Sequence, residues 1–373
     1  MKRNQLYIAA LVSIVCGLLW ACRPDDGFTP PSALYDPSPY TFNRPELEGP
    51  NRLFPLMVVP SDNPMTIAKV ELGRYLFYDA KLSISGNQSC NSCHKQEYNF
   101  GDNLALSTNA SGSRNSRNAM PLINLGWANN GLMWDGRTID LEAASADAIF
   151  SELHPNPSAI LDILGSDSLY TNLFAKAFED GAISLENINK SLASFMRSIV
   201  SIDSKYDRYV KFGLNEFSQE EFRGFEMVFS SEEGDCFHCH ASSDVIFSDF
   251  SFHNIGMDSN INTIYDFADY GLGGNTGNEE DYGLFKTPTL RNWAYSAPYM
   301  HDGRFTTMEE VIEFHSTGLK NSPNLDVIML KDGKIQNGGL QMTTQEKSDL
   351  LAFLQTLNDT VFINNPSYSN PFE

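Results

Sequence analysis

The pattern C-x-x-C-H occurs twice in this chain, as CNSCH over residues 90–94 and as CFHCH over residues 236–240. Four of the six cysteines sit in these two motifs, and the chain holds only seven histidines, so chance recurrence is a poor explanation. In an exported protein this spacing lets both thiols form thioethers with haem vinyl groups, while the following histidine supplies an axial nitrogen to the iron. Two rivals fit less well. A thioredoxin-like pair expects a βαβ context, which neither motif has. A tetrahedral zinc site could draw on Cys90, Cys93, Cys236 and Cys239, but it leaves the histidine after each pair unexplained. The reading is therefore two covalently attached c-type haems, on Cys90/Cys93 and Cys236/Cys239, with His94 and His240 as axial ligands.

The N-terminus agrees with export. Lys2 and Arg3 precede an apolar run from Leu6 to Trp20 that is short for a membrane span, and Ala21-Cys22 follows. Leu19-Trp20-Ala21-Cys22 resembles a bacterial lipobox, with Cys22 as the lipidated residue; an ordinary signal or a short anchor is the alternative. Residues 1–22 are expected to be a lipoprotein signal peptide and 23–50, rich in proline, a flexible tether. The folded part is placed on the periplasmic side of a bacterial cell envelope, held to the membrane only through the lipid. A net charge of −21, with no Lys/Arg cluster, argues against nucleic acid as a partner. That charge serves solubility and also allows steering of a basic protein.

Both motifs sit in similar surroundings, which marks a diverged internal repeat. Before the first, Asn63 suits an N-cap and Pro64 a first helical position, with Ile67, Val70 and Phe77 near one face. Before the second, Ser218 and Glu221 form a capping box ahead of a Phe222/Phe225/Phe229 stripe. Ile188, Leu192, Phe195 and Ile199 follow the first motif at helical spacing. Leu350, Phe353 and Leu357 follow the second, behind a Thr343/Glu346 cap. The expected fold is all-α, with two cytochrome c-like domains joined by long loops, at residues 51–214 and 215–373.

The loops carry ELGRYLFYD, MWDGR, FKTPTLRN and PYMHDGR in that order. Together with the paired haem motifs these resemble the bacterial di-haem cytochrome c peroxidase and MauG family, over roughly residues 50 to 360. The resemblance implies reduction of hydrogen peroxide with electrons from a small cytochrome or copper protein, or, in the MauG type, oxidation of a protein substrate. The N-terminal haem would be peroxidatic and the C-terminal haem would handle electrons. Trp134 matches the tryptophan between the haems. Glu152 matches the distal glutamate that moves a proton during peroxide cleavage, with His154 as its rival. Asn118, Ser296 and Pro298 match the oxygen ligands of a Ca²⁺ between the domains. A homodimer is compatible with the same resemblance.

Three departures stand out. Ala144 occupies the place of a distal glutamine. No histidine lies between Lys95 and Leu153, where many relatives carry one that caps the first iron. The distal ligand of the second haem, methionine in typical peroxidases and tyrosine in MauG, falls on His315, with Met300 as the alternative. A di-haem electron carrier without catalysis is the remaining reading; it would need both irons six-coordinate.

Overall fold

A computed structural model describes residues 32–50, 52–213, 216–230, 235–240 and 245–373. Cys22, with the rest of the signal segment and residues 23–31, lies outside the described residues. Helices dominate, and the described residues form one small antiparallel ladder, β1 (Phe252–His253) against β2 (Phe285–Lys286). The helices used below are α1 (Ile67–Tyr78), α2 (Leu141–Ala148), α3 (Ser158–Gly165), α4 (Ser168–Ala177), α5 (Leu185–Ser198), α6 (Lys205–Phe212), α7 (Gln219–Phe229), the single turn α8 (Phe237–His240), α9 (Met308–Glu313) and α10 (Thr344–Gln355). None is long and apolar enough to cross a membrane.

Each half is built on two helices that meet at a glycine. α1 meets α5 at Gly73, where a Cβ would overlap the Ser191 carbonyl and lie 2.9 Å from Phe195 Cβ. α7 meets α10 at Gly224, where a Cβ would overlap the Asp349 carbonyl and lie 2.7 Å from Phe353 Cβ. Only glycine lets two backbones approach this closely. The first core gathers Leu72, Leu76, Phe77, Phe100, Leu192 and Phe195, with Tyr170 and Phe174 of α4. The second gathers Tyr206, Val228, Phe247, Leu350, Phe353 and Leu357.

Local signals predicted the later helices well. Ser218 and Glu221 exchange backbone hydrogen bonds of 3.2 and 2.6 Å, and Thr343 and Glu346 do the same at 3.3 and 2.6 Å. Ile188, Leu192, Phe195 and Ile199 are all buried, as are Leu350, Phe353 and Leu357. In the Phe222/Phe225/Phe229 stripe, Phe222 stays 39% exposed.

The first helix corrects its expectation. α1 starts at Thr66, whose hydroxyl accepts from the Lys69 amide at 3.2 Å. Asn63 is drawn inward instead, donating to Glu142 at 2.6 Å and to the Lys190 carbonyl at 2.9 Å. The later start turns the helix, so Ala68, Leu72 and Leu76 face the core and Ile67 is 53% exposed.

Two chain segments also depart from the expected division. Residues 32–50, read as tether, are laid onto the body: the Asp36 amide bonds the Lys176 carbonyl at 2.9 Å, and Leu47 packs with Phe54, Val200 and Phe250. The C-terminal tail returns to the first half, where Phe362 and Tyr368 enter its core and the Tyr78 hydroxyl donates to the Tyr368 carbonyl at 2.7 Å.

Candidate haem sites and their shared wall

The first motif is wound into a 3₁₀ turn, Cys90–Ser92, closed by a 3.0 Å bond from the Ser89 amide to Ser92 Oγ. The His94 amide bonds the Cys90 carbonyl at 2.9 Å, and Cys90, Cys93 and His94 share one cavity wall. His94 Nδ1 lies 2.8 Å from the Phe100 carbonyl. A carbonyl can only accept, so the proton sits on Nδ1 and the lone pair on Nε2 is left for a metal. Burial lowers the pKa of His94, keeping the ring neutral. The second motif repeats this. The His240 amide bonds the Cys236 carbonyl at 2.9 Å, and Nδ1 faces the Phe247 carbonyl at 3.4 Å. Burial, aided by the nearby His315, pushes His240 down to about 4. Phe100 and Phe247 both adopt left-handed backbone, with φ of 58° and 57°. That is uncommon for bulky residues, and here it turns each carbonyl towards its histidine.

Cys90 and Cys93 line one cavity, and Cys239 of the second pair lines the other. Among the described residues no group of three or more His, Cys, Asp or Glu could hold a metal ion. The shared zinc site is therefore ruled out by geometry. A cysteine pair with an oriented imidazole, at the edge of a largely apolar cavity, fits a covalent haem in both halves.

Glu152 lines the same cavity as the first motif. It lies in a π-helical turn, Ile149–Leu153, that extends α2, and its carbonyl accepts from the Ala110 amide at 2.9 Å. Asn115 Nδ2 donates to Glu152 Oε2 at 2.7 Å, and both residues line the cavity. Ala144, Met120, Met133 and Met196 add apolar wall, while His94 is the one imidazole among the lining residues. His154 is not among them; its Nδ1 accepts from the Asn156 amide at 3.1 Å.

The second cavity has a different lining. His315 lies in another π-helical turn, Phe314–Gly318, which extends α9. Its Nδ1 donates to the Val311 carbonyl at 2.9 Å, so Nε2 is again free, and His315 and His240 line the same cavity. Met300 lines it as well, with φ at 73° in the turn closed by the Tyr299–Phe305 bridge. His253 is clamped by Asp326 at 2.5 Å and Asp249 at 2.9 Å. Although burial opposes protonation, these carboxylates hold its pKa up at about 12. Asn118, Ser296 and Pro298 line this cavity too. The Asn118 side chain donates to the Leu104 carbonyl at 2.9 Å, and its backbone carbonyl accepts from Trp134 Nε1 at 2.9 Å.

The two cavities share a wall made of Asn118, Pro121, Trp134 and Lys286. The Trp134 ring is buried, 6.4 Å from His301, which stacks on Phe285 at 3.6 Å.

Residues 67–213 match the family described as "Di-haem cytochrome c peroxidase". The methylamine utilization protein MauG of Methylophilus methylotrophus is 32% identical over 303 residues, 80% of this chain and 85% of its own length. The chain belongs to the di-haem cytochrome c peroxidase and MauG family. The cytochrome c551 peroxidase of Nitrosomonas europaea is 30% identical over 81% of this chain and 84% of that protein. A solved MauG-like protein associated with microbial copper homeostasis superposes with a TM-score of 0.76 at 34% identity, covering 90% of this chain and all of the other.

Membership in the di-haem family implies covalently bound haems and an oxidoreductase, while relatives carry both peroxidase and MauG names. Asn115 and Lys286 escaped sequence reasoning. Asn115 lies in a Ser/Asn-rich loop with no local signal. Lys286 sits inside FKTPTLRN, a stretch that pointed to the family without assigning the lysine a task.

Proposed function

We propose that this di-haem protein reduces hydrogen peroxide at the His94 haem, with electrons entering through the His240 haem. The observation that carries this reading is the asymmetry of the two cavities. His240 shares its cavity with a second oriented imidazole, His315, whereas His94 shares its own with a carboxylate and its amide partner. His315 is accordingly favoured over Met300 as the second iron's distal ligand.

Bound haem supplies the iron at which the O–O bond is broken. The protein handles protons and access. Reduction of one peroxide takes two electrons and two protons and yields two waters. Glu152 takes the proton from the inner oxygen and returns it to the outer, leaving one. Its Oε2 is engaged by Asn115, so Oε1 is the proton-carrying atom. Trp134, in the shared wall, is the bridge between the haems. A small cytochrome c or cupredoxin is the proposed donor, Ca²⁺ on Asn118, Ser296 and Pro298 the proposed tie between the halves, and the periplasmic side of the envelope the proposed location, with Cys22 as lipid anchor.

A second reading, oxidation of a partner protein as in the MauG type, draws support from the 32% and 34% identical relatives. Electron paramagnetic resonance of the oxidised protein should show one high-spin and one low-spin haem. Two low-spin haems, with a thioether from Met120, Met133 or Met196 on the first iron, would make it a carrier and sink the proposal. Steady peroxide-dependent oxidation of a reduced small cytochrome then separates the peroxidase from the MauG-type reading.

A further inference from the structure

Lys286 is only 2% exposed, and its ammonium sits in a cage of its own. Nζ donates to the Gly131 carbonyl at 2.7 Å and the Phe250 carbonyl at 2.8 Å, drawing one acceptor from each half of the chain. It also lies 5.0 Å from the Phe250 ring centroid and 5.3 Å from that of Phe252. Two carbonyl dipoles and two aromatic faces are the surroundings of a bound cation. No carboxylate is bonded to it among the described residues; Asp249, which acts on it from a distance, is committed to His253. Burial accordingly brings Lys286 down to about 7.

Burying an ammonium without a carboxylate partner is costly, and an apolar side chain of similar length could fill the same space. Its position offers a reason for keeping it. Lys286 is one of the four residues that wall both haem cavities, and its amide donates to the Trp134 carbonyl at 3.0 Å. In a site screened from water, a positive charge favours whichever neighbouring state carries one positive charge fewer. For a haem iron that is the reduced state.

We propose that Lys286 places a positive charge in the wall common to both haem sites and raises the reduction potentials of both haems together. The inference rests on the di-haem family and not on the choice of peroxide chemistry. The test is spectroelectrochemical titration of the holoprotein and of Lys286→Met at a pH well below the lysine's pKa of about 7, where the ammonium is charged, resolving the two haem midpoints. Both midpoints should fall, each reduction equilibrium weakening at least tenfold, or about 59 mV for a one-electron couple. Lys286→Arg should stay close to wild type. Unchanged midpoints, a shift of one haem alone, or an equal shift in Lys286→Arg would overturn the proposal. If Lys286→Met fails to retain haem, Lys286→Gln is titrated against the same criteria. Loss of haem from both would reduce Lys286 to a structural tie and equally overturn it.

Discussion

Glu152→Gln removes the charge and the exchangeable proton while leaving the hydrogen bonding that positions the side chain. Glutamine keeps the shape of the side chain, and its carbonyl can accept from Asn115 Nδ2 where Glu152 Oε2 now does at 2.7 Å. The π-helical turn is held by backbone bonds that survive the change, from Ala110 to the Glu152 carbonyl at 2.9 Å and from His154 to the Ile149 carbonyl at 2.8 Å. Replacing a charge-assisted hydrogen bond with a neutral one costs roughly 1 kcal/mol. A positioned acid–base group contributes on the order of 10²–10⁴-fold. At about 1.36 kcal/mol per decade, that is about 2.7–5.4 kcal/mol on the barrier. The barrier term exceeds the ground-state term severalfold, so turnover should fall by at least about two decades while haem content and thermal unfolding barely move. The assay is peroxide-dependent oxidation of a reduced donor, with haem content measured in the same preparation. Unchanged turnover in Glu152→Gln, together with loss in His154→Ala, would refute the reasoning and transfer the task to a residue outside the cavity wall.

Fully oxidised protein should bind cyanide without prior reduction, since His94 is the one imidazole lining the first cavity; binding that appears only after one-electron reduction would reveal a cap. On the proposed His240/His315 ligation, the oxidised spectrum should lack the weak far-red charge-transfer band of methionine ligation. Its presence, with loss in Met300→Ala but not in His315→Ala, would reverse the ligand choice. Gly224→Ala should destabilise the holoprotein by about 1–3 kcal/mol through forced separation of α7 and α10, and an unchanged Tm would show that the crossing has room for a methyl group. Asp207 pairs with buried Arg291 at 2.5 Å. Burial opposes its ionisation, but Arg291 and Ser204 together hold its pKa below the ordinary value. Its contribution to stability is therefore present above the unfolded-state pKa of about 3.9 and is lost as pH falls through the folded one. Acid unfolding of Asp207→Asn should show a shallower pH dependence there than wild type, and superimposable curves would contradict this.

The covalent haem motifs, the caps of α7 and α10, and the apolar stripes of α5 and α10 were all legible in the amino-acid order. Each is written within a few residues, because thioether spacing, capping boxes and helical periodicity are short-range constraints. Resemblance to the family extended that reach to Trp134, Glu152 and His315 as residues of the cavity walls, and their roles remain proposals. What the order alone left undecided depends on partners far along the chain. Asn63 carries every local mark of a cap, yet Glu142 and Lys190 draw it inward, and α1 begins three residues later with its face turned. The tail bearing Phe362 and Tyr368 reads as part of the second half, yet it fills a space in the first core. Nothing near Asn115 announces a bond to Glu152. Lys286 becomes a buried cation only because Gly131 and Phe250 bring their carbonyls to it from opposite halves of the chain. Contacts of this kind are settled by packing, where the unmet hydrogen bonds and unfilled volume of one segment select their complement in another.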